Sequence, residues 1–227
     1  MGISLNKWVT FIAIGICGVA YGQNWEQINK EDGVTVWKKE TPDSDIIAFK
    51  GSLLMKVPMS KIAYVIMNND IKQKKRWIDM VREFTIISRD DKSGVSFTYS
   101  SYDLPFPISD RDFVIRSEKI LNKKKGLAIK LRSGTHQKYH PNNSVGVRGK
   151  IIGSSFMLQQ KSPNETLVTV TIQSDPGGLL PTWVVNIINK NWPYNTLMAL
   201  RRESARPGTL KDPEVEAMFP STGALSH

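Results

Sequence analysis

The residues "SYDLPFPISDRDFVIR" (101–116) place Pro105, Phe106 and Pro107 directly before a charged group and an apolar run that begins at Phe113. Proline fixes φ and removes a backbone N–H donor, so the two prolines interrupt any strand that reaches them. The pattern therefore predicts two strands joined by a rigid loop. Phe106 suits either an apolar loop tip or the core, and the residues alone leave both open.

Runs in which apolar and polar residues alternate lie on both sides of this loop. The alternation is clearest at 127–131 and 167–173. It is typical of an antiparallel sheet with one face in water and the other face covered. Strands are predicted at 34–37, 46–54, 84–88, 95–102, 113–121, 127–131 and 167–173, with one more between 145 and 160; helices are predicted at 25–30, from 57 onward and from 70 to about 77.

The last apolar pattern, residues 180–202, predicts the helix that covers the sheet. A turn at 175–178, "DPGG", precedes it. Pro193 should kink this helix because it removes one backbone hydrogen bond. We expect the half before Pro193 to be clamped on the sheet and the half after it to open. The predicted buried stripe is Trp183, Val184, Ile187, Ile188, Tyr194, Leu197 and Met198.

The composition supports a folded, strongly basic domain. The chain has 31 Lys and Arg against 21 Asp and Glu, a formal net charge of +10, and 40% hydrophobic residues. This apolar content supports a sizeable core. The charge favours anionic partners, either nucleic acid or acidic headgroups. Basic runs at 71–77 and 122–126 are more typical of solvated helix faces and turns, so we expect an anionic membrane surface and no nucleic acid as partner.

Residues 1–22 resemble a secretory signal peptide. They contain Lys7, an apolar run from Trp8 to Ala20, and small residues before a cleavage position at Gln23. The run is shorter than the roughly 20 residues that a membrane span needs. We therefore expect export, to a periplasmic or secreted location. The only cysteine lies inside this segment, so the mature chain would form no disulfide.

Two segments resemble a known family. "YDLPFPISDRDFV" (102–114) and "SDPGGLLPTWVVNIINKNWPYNTL" (174–197) are similar to the P-F-P-x-S-x-R-D-[FY]-V and P-G-G-x-x-P-x-W segments of the START-domain lipid-transfer family, especially its phosphatidylcholine-transfer-protein-like members. The resemblance implies an α+β helix-grip (START / Bet v 1-like) fold, with a curved antiparallel sheet around a hydrophobic tunnel closed by a long C-terminal helix. Together with the signal-peptide pattern, it divides the chain into a signal peptide (1–22), a START-like lipid-binding domain (23–204) and a tail (205–227), whose folding the sequence leaves open.

The resemblance also implies which residues contact a ligand. Phe113 matches an aromatic position that faces the lipid in choline-lipid carriers, and period two takes Ile115 and Ser117 to the same face. The predicted ligand-binding residues are Phe113, Ile115, Ser117, Ile129, Val170, Trp183, Ile187 and Ile188. The predicted gate residues are Pro105, Phe106, Pro107, Gly177, Gly178 and Pro193.

Ligand identity stays open because the family's headgroup signatures are missing. Steroid carriers can place Arg where Ser117 falls and an acidic residue where Thr98 falls, and choline-lipid carriers place an aromatic at Ser100. The register of this strand is open as well. The family alignment turns Thr98 and Ser100 inward. Burial would instead favour Phe97 and Tyr99, and a bulge before the loop would exchange the two sets.

An enzyme in the same kind of cavity is the alternative to a carrier. Arg111 and Asp112 are adjacent, so they point to opposite faces of a strand, which favours tying down nearby backbone over catalysis. His136 and His140 have metal-ligand spacing only on a helix, whereas their surroundings predict a loop. We expect no cofactor and no metal. The predicted function is non-catalytic binding, and transfer, of one lipid or other hydrophobic ligand by a monomer; the alternative is a cyclase- or hydrolase-like enzyme.

Overall fold

The computed structural model describes residues 25–42, 44–140 and 144–221, so the predicted signal peptide and its cleavage position lie outside the described residues. Within these ranges no helix is long and apolar enough to cross a membrane. The strands are β1 (Glu26–Glu31), β2 (Val34–Thr41), β3 (Ser44–Met55), β4 (Val81–Asp90), β5 (Val95–Tyr102), β6 (Arg111–Asn122), β7 (Gly126–Ser133), β8 (Val147–Arg148), β9 (Lys150–Ile151), β10 (Ser154–Ser162), β11 (Glu165–Ile172) and β12 (Ser174–Asp175). The helices are α1 (Met59–Met67), α2 (Ile71–Lys74), α3 (Thr182–Ser204) and α4 (Pro213–Met218), with a 3-10 turn at Gln137–Tyr139.

One large sheet holds most of the strands, in the order β1-β2-β3-β11-β10-β7-β6-β5-β4. These neighbours pair antiparallel, while the short β8 pairs parallel with the start of β6. Helix α3 packs across β3, β11 and β2. We call the face under α1 and α3 the inner face and the opposite one the outer face. The predicted α+β helix-grip arrangement, an antiparallel sheet held by a long C-terminal helix, is confirmed.

The helix predicted at 25–30 is wrong, because this segment is the edge strand β1. Glu26 pairs with Lys38 of β2, and their charged groups lie 3.2 Å apart. The segment is short and mostly polar, so it has no apolar stripe to bury as a helix. Pairing with β2 instead satisfies backbone groups along one of its sides.

The core lies between the inner face and helices α1, α3 and α4. Directly paired residues share a face of an antiparallel sheet. Val36, Gly51, Val170, Phe156 and Ile129 therefore form one inner row across five strands. The four side chains of this row are buried, and they belong to one cluster with the apolar residues of the helices.

Gly51 in this row fixes the position of α3. A Cβ atom at Gly51 would lie 2.7 Å from Cβ of Pro193 and 3.0 Å from Cδ1 of Leu197. Glycine is therefore needed for the helix to approach the sheet this closely. Pro193 is buried at this contact, so the middle of α3 is held firmly on β3.

The predicted clamping of the first half of α3 is wrong, because burial is concentrated in the second half. Before Pro193, the expected stripe is largely exposed: Trp183, Ile187 and Ile188 are 67%, 50% and 47% accessible. After Pro193, Leu197 and most of its neighbours toward the sheet are buried. The buried residues of the whole helix are Val185, Asn189, Pro193, Thr196, Leu197, Leu200, Glu203 and Ser204. The clamped half is thus the C-terminal one.

Two asparagines explain why the apolar stripe fails in the first half. Asn186 accepts a hydrogen bond from the backbone N–H of Ile47 at 2.9 Å. The amide of Asn189 donates to the carbonyl of Ser174 at 2.9 Å and accepts from the hydroxyl of the same residue. These bonds satisfy polar groups of β3 and β12, so a polar face of α3 turns toward the sheet.

The segment after residue 204 is folded as far as Ser221. Val215 of α4 and Phe219 just after it are buried against the core. Glu216 accepts a hydrogen bond from the Ser60 hydroxyl of α1 at 2.6 Å. The folded unit therefore includes α4.

Candidate functional site

The inner face of β6 is only partly covered by the helices. Phe113, Ile115 and Ser117 all lie on this face and are half-buried. The inner residues of β10 and β11, by contrast, are buried. The structure therefore brings these three predicted ligand-binding residues together on an open stretch of wall.

The register of β5 follows the family alignment. Ser100 pairs with Phe113 and Thr98 pairs with Ile115, without a bulge between the two strands. Paired residues share a face, so Thr98 and Ser100 are on the inner face and Tyr99 is on the outer face. The open wall is thus lined by hydroxyl groups beside its apolar side chains.

Tyr99 is buried although it faces outward, because a loop covers the outer face at this point. The ring of Tyr139 stacks on it with centroids 4.1 Å apart. The Tyr99 hydroxyl lies 3.1 Å from the carboxylate of Asp112, which also accepts bonds from Arg148 and Ser144, each at 2.7 Å. Burial and the Asp112 charge raise the pKa of Tyr99 to about 12. Burial opposes ionisation of Asp112, but the bonds from Arg148 and Ser144 outweigh it and lower the pKa of the carboxyl.

Five predicted ligand-binding residues do not lie on the open wall. Ile129 and Val170 are 4% and 0% accessible. They are part of the packed core row and offer almost no surface to a ligand. Trp183, Ile187 and Ile188 are instead exposed on α3, as described above. Ile129 and Val170 were misassigned because strand periodicity identifies the inner face of the sheet without showing which part of that face the helices cover.

Two inner-face hydroxyls of the described residues are buried without a hydrogen-bond partner. They are Oγ of Ser100 and Oγ of Ser154, the latter opposite Leu131 on the inner side of β10. The Tyr102 phenol lies near Ser100 but without normal hydrogen-bond geometry. A buried polar group that lacks a partner costs about 1–3 kcal/mol. These hydroxyls can therefore bind a polar group that enters beside the wall, and sequence reasoning did not identify either one.

The predicted gate loops carry the most exposed apolar side chains. Phe106 is 98% exposed, so it is a loop tip and not a core residue. Leu179, in the loop before α3, is fully exposed. With Trp183, Ile187 and Ile188 these residues form an apolar set that we call the rim.

Arg111 joins the two gate loops. Its guanidinium donates to the carbonyl of Pro176 at 2.8 Å, to that of Gly177 at 3.1 Å and to that of Ser109. Gly177 and Gly178 have φ values of +67° and +78°, which other residues rarely adopt. The positions of Pro105–Pro107 and of the Gly-Gly turn are therefore coupled through one side chain.

Lys74 is a buried cation that sequence reasoning missed within the basic run 71–77. Its Nζ donates to the carbonyls of Val65 and Ile66, in the last turn of α1, at 3.0 and 2.7 Å. Burial, reinforced by the charge of Arg89, lowers the pKa of Lys74 to about 7. The basic run 71–77 was predicted to be exposed to solvent, but at least this lysine is buried.

The acidic residues beside the Pro105–Pro107 loop, and His136, have structural partners. Asp103 and Asp110 both pair with Arg82, at 2.6 and 3.0 Å. His136 caps the 3-10 turn by accepting from the backbone of Lys138. Within the described ranges, no group of three His, Cys, Asp or Glu side chains is placed to hold a metal ion.

Comparisons with known proteins agree with this architecture. The family model of the START domain matches residues 20–197. An uncharacterized protein of Pseudomonas aeruginosa is 29% identical over 82% of this chain and 90% of its own length. The phosphatidylcholine transfer protein of Bos taurus is 27% identical over 78% of this chain and 82% of its own. The crystal structure of human STARD10 superposes with a TM-score of 0.71 at 25% identity, covering 79% of this chain and 72% of that one.

Proposed function

The chain belongs to the START domain family, and we propose that it binds one lipid molecule against the open inner wall and carries it between membranes. The observation that carries this proposal is the half-buried inner surface of Phe113, Ile115 and Ser117, which the helices leave uncovered. The similarity to a phosphatidylcholine transfer protein supports a lipid as the ligand. An acyl chain gains about 0.8 kcal/mol for each CH₂ that it buries, so such a wall retains a lipid without covalent chemistry.

We propose that the lipid has a headgroup without net charge. Between Arg111 and Lys119, the inner side chains of β5 and β6 are Ser96, Thr98, Ser100, Phe113, Ile115 and Ser117, none of which is charged. The two cations that end this stretch already have partners: Arg111 donates to backbone carbonyls and Lys119 pairs with Glu214. A buried ionised headgroup would need a compensating charge, whereas the unpartnered Ser100 hydroxyl suits an ester, hydroxyl or phosphate oxygen. Extraction of the lipid that copurifies, followed by mass spectrometry, tests this. A neutral or zwitterionic lipid is expected, and an anionic lipid would contradict the proposal.

The rim is the surface that we propose for contact with the membrane during exchange. Burying a side chain of the size of Phe contributes about 1.5–3 kcal/mol. The double variant Phe106→Ser, Trp183→Ser should therefore bind vesicles at least about tenfold more weakly. The matched control is Leu210→Ser, which removes an exposed apolar side chain outside the rim. Equal vesicle binding by all three proteins would exclude the rim as the contact.

We propose that this exchange takes place outside the cytoplasm. The proposal rests on the signal-peptide pattern of residues 1–22. N-terminal sequencing of periplasmic or secreted protein should begin at Gln23. Recovery of cytosolic protein that retains Met1 as its only form would contradict it.

A further inference from the structure

A hollow of about 300 Å³ lies on the outer face of the sheet, on the opposite side from the open inner wall. It extends from β2 across β3, β11 and β10 to β7. Its base contains small residues, and long side chains surround it. The small residues are Ala48, Gly153, Ser155 and Thr171; the long ones are Trp25, Lys39, Lys130 and Arg132.

The small residues keep the hollow open. A Cβ atom at Gly153 would meet no other atom within 4 Å. Ser155 and Thr171 are paired directly across β10 and β11, and their short side chains leave room above the sheet. The hollow is thus a consequence of side-chain size along neighbouring strands.

The cations around the hollow lack acidic partners. Among the described residues, no carboxylate lies within 4.0 Å of the charged group of Lys39, Lys130 or Arg132. The adjacent Lys38, by contrast, pairs with two glutamates. Glu118 lies across from Lys130 in the register, but it pairs with Arg116. Three positive charges therefore converge on the hollow without internal compensation.

The register places hydroxyl groups between cations. Lys130 pairs with Ser155, Ser155 with Thr171, and Thr171 with Lys50. Side chains of directly paired residues are neighbours on one face of the sheet. This row therefore presents an ammonium group, two hydroxyl groups and a second ammonium group in sequence.

Trp25 borders the hollow because a cation holds it in place. Nζ of Lys50 lies 4.4 Å from the ring centre of Trp25 and 4.7 Å from that of Trp37. Cation–π contacts of this kind stabilise the position of the indole by about 0.5–1 kcal/mol at exposed sites. Lys50, which holds Trp25, is thus also the last residue of the row of paired residues described above.

We propose that this outer hollow binds a phosphate group. A phosphate has several strong acceptor oxygens, and arginine, lysine and hydroxyl donors are the groups that bind it best. The volume suits a phosphate with a small substituent and not a lipid chain. Leu131 and Ser154, whose side chains point to the inner face, also border the hollow. The side chains proposed to hold the phosphate all lie on the outer face, so the site does not depend on the lipid-binding proposal.

Isothermal titration with inorganic phosphate and with glycerol 3-phosphate tests the site directly. A second arm measures binding to vesicles that contain phosphatidic acid. The variant Lys130→Gln, Arg132→Gln should bind at least about tenfold more weakly, because it removes two charge-assisted contacts. Thr171→Val, which leaves the net charge unchanged, should also weaken binding. The matched control Lys124→Gln, Lys125→Gln removes two charges from the exposed turn between β6 and β7.

The results of these binding measurements identify the source of the phosphate or reject the site. Weakened binding in both hollow variants with soluble phosphates assigns the site to a free phosphate compound. The same loss on vesicles alone assigns it to a lipid headgroup. Absence of binding in both arms overturns the proposal, as does equal weakening by the control or full binding by Thr171→Val.

Discussion

Four charged side chains among the described residues are buried: Lys74, Arg111, Asp112 and Glu203. Each has partners that replace its hydration. Lys74 and Arg111 donate to backbone carbonyls, whereas Asp112 and Glu203 pair with arginines. Removing one member of such a pair leaves the other buried and uncompensated, so single substitutions at these positions have large effects.

Asp112→Asn should destabilise the domain by about 3–5 kcal/mol, because it leaves Arg148 without its carboxylate. Urea denaturation measures this loss. The control is Glu118→Gln, since Glu118 and Arg116 form an exposed pair that contributes about 1 kcal/mol or less. Similar losses in the two variants would show that the loop over Tyr99 is not held by Asp112.

Lys74 should make stability depend on pH. Its folded-state pKa is about 7 and the ordinary value is 10.5, so between these values the unfolded chain binds a proton that the folded chain does not. Stability therefore rises as pH increases through this window, by up to about 1.4 kcal/mol per pH unit. A neutral amine still supplies two N–H donors, one for each carbonyl that Lys74 contacts.

Lys74→Met should reduce this slope between pH 7.5 and 9.5, as measured by denaturation at a series of pH values. The window ends below pH 10 because Tyr99, whose pKa is raised to about 12, has the opposite effect above that point. Lys72→Met, on the exposed side of α2, is the control. An unchanged slope in Lys74→Met, or an equal change in both variants, would contradict the assignment.

At the residue scale, alternation predicted the structural roles of Arg111 and Asp112 correctly. Their opposite directions on β6 follow from strand geometry alone. Lys74 was not predictable, because only the packing of α2 against α1 and β4 removes it from water. The outward burial of Tyr99 was missed for a similar reason: a distant loop covers it.

At the scale of the elements, the two halves of α3 differ in burial. Its C-terminal half carries Leu197, Leu200 and the ion pair of Glu203 with Arg76 at 2.7 Å, whereas its N-terminal half exposes the rim residues. Pro193 separates the two halves and is fixed on Gly51. The hinge at Pro193 stays a prediction. The sequence assigned burial to the wrong half, because Asn186 and the buried Asn189 form a polar contact with the sheet that a search for apolar residues does not detect.

Backbone amides of residues 182–192 should exchange with solvent at least about tenfold faster than those of 194–204. Hydrogen exchange followed by mass spectrometry or NMR measures both groups in one experiment. Pro193→Ala restores a backbone donor, so it should reduce the difference between the halves and slow lipid transfer between vesicles. Faster exchange of the amides of residues 194–204 would contradict this prediction and would show that the C-terminal half of α3 is the one that opens.

Gly51→Ala should destabilise the domain by about 1–3 kcal/mol, because its Cβ would press on Pro193 and Leu197. Thermal or urea unfolding measures the effect. Gly153→Ala provides the matched control, since its Cβ would meet no atom within 4 Å. Equal stability of Gly51→Ala and the wild type would mean that α3 is not held at this contact.

At the scale of the whole molecule, the inner face of the sheet forms both the core and the open wall. Strands β2, β3, β10 and β11 use their inner side for the core, while β5 and β6 leave theirs partly open. The sequence predicted the fold and the positions of nearly all strands from alternation and from two family segments. It could not predict the division of the inner face, which depends on where α1, α3 and α4 lie. Period two correctly placed Phe113, Ile115 and Ser117 on the inner face, and their contact with a ligand stays a prediction. Val170 is on the same face but is buried in the core.

Native mass spectrometry of the purified chain tests the central claim, that one lipid binds against the open wall. The wild type should carry one lipid per chain. Ile115→Asp should lose it, because an unpaired charge on an apolar wall costs several kcal/mol. Thr169→Asp, on the outer face of β11 beside Ser52, should retain it. A wild-type chain without lipid, or a folded Ile115→Asp protein that binds lipid as fully as Thr169→Asp, would contradict the account.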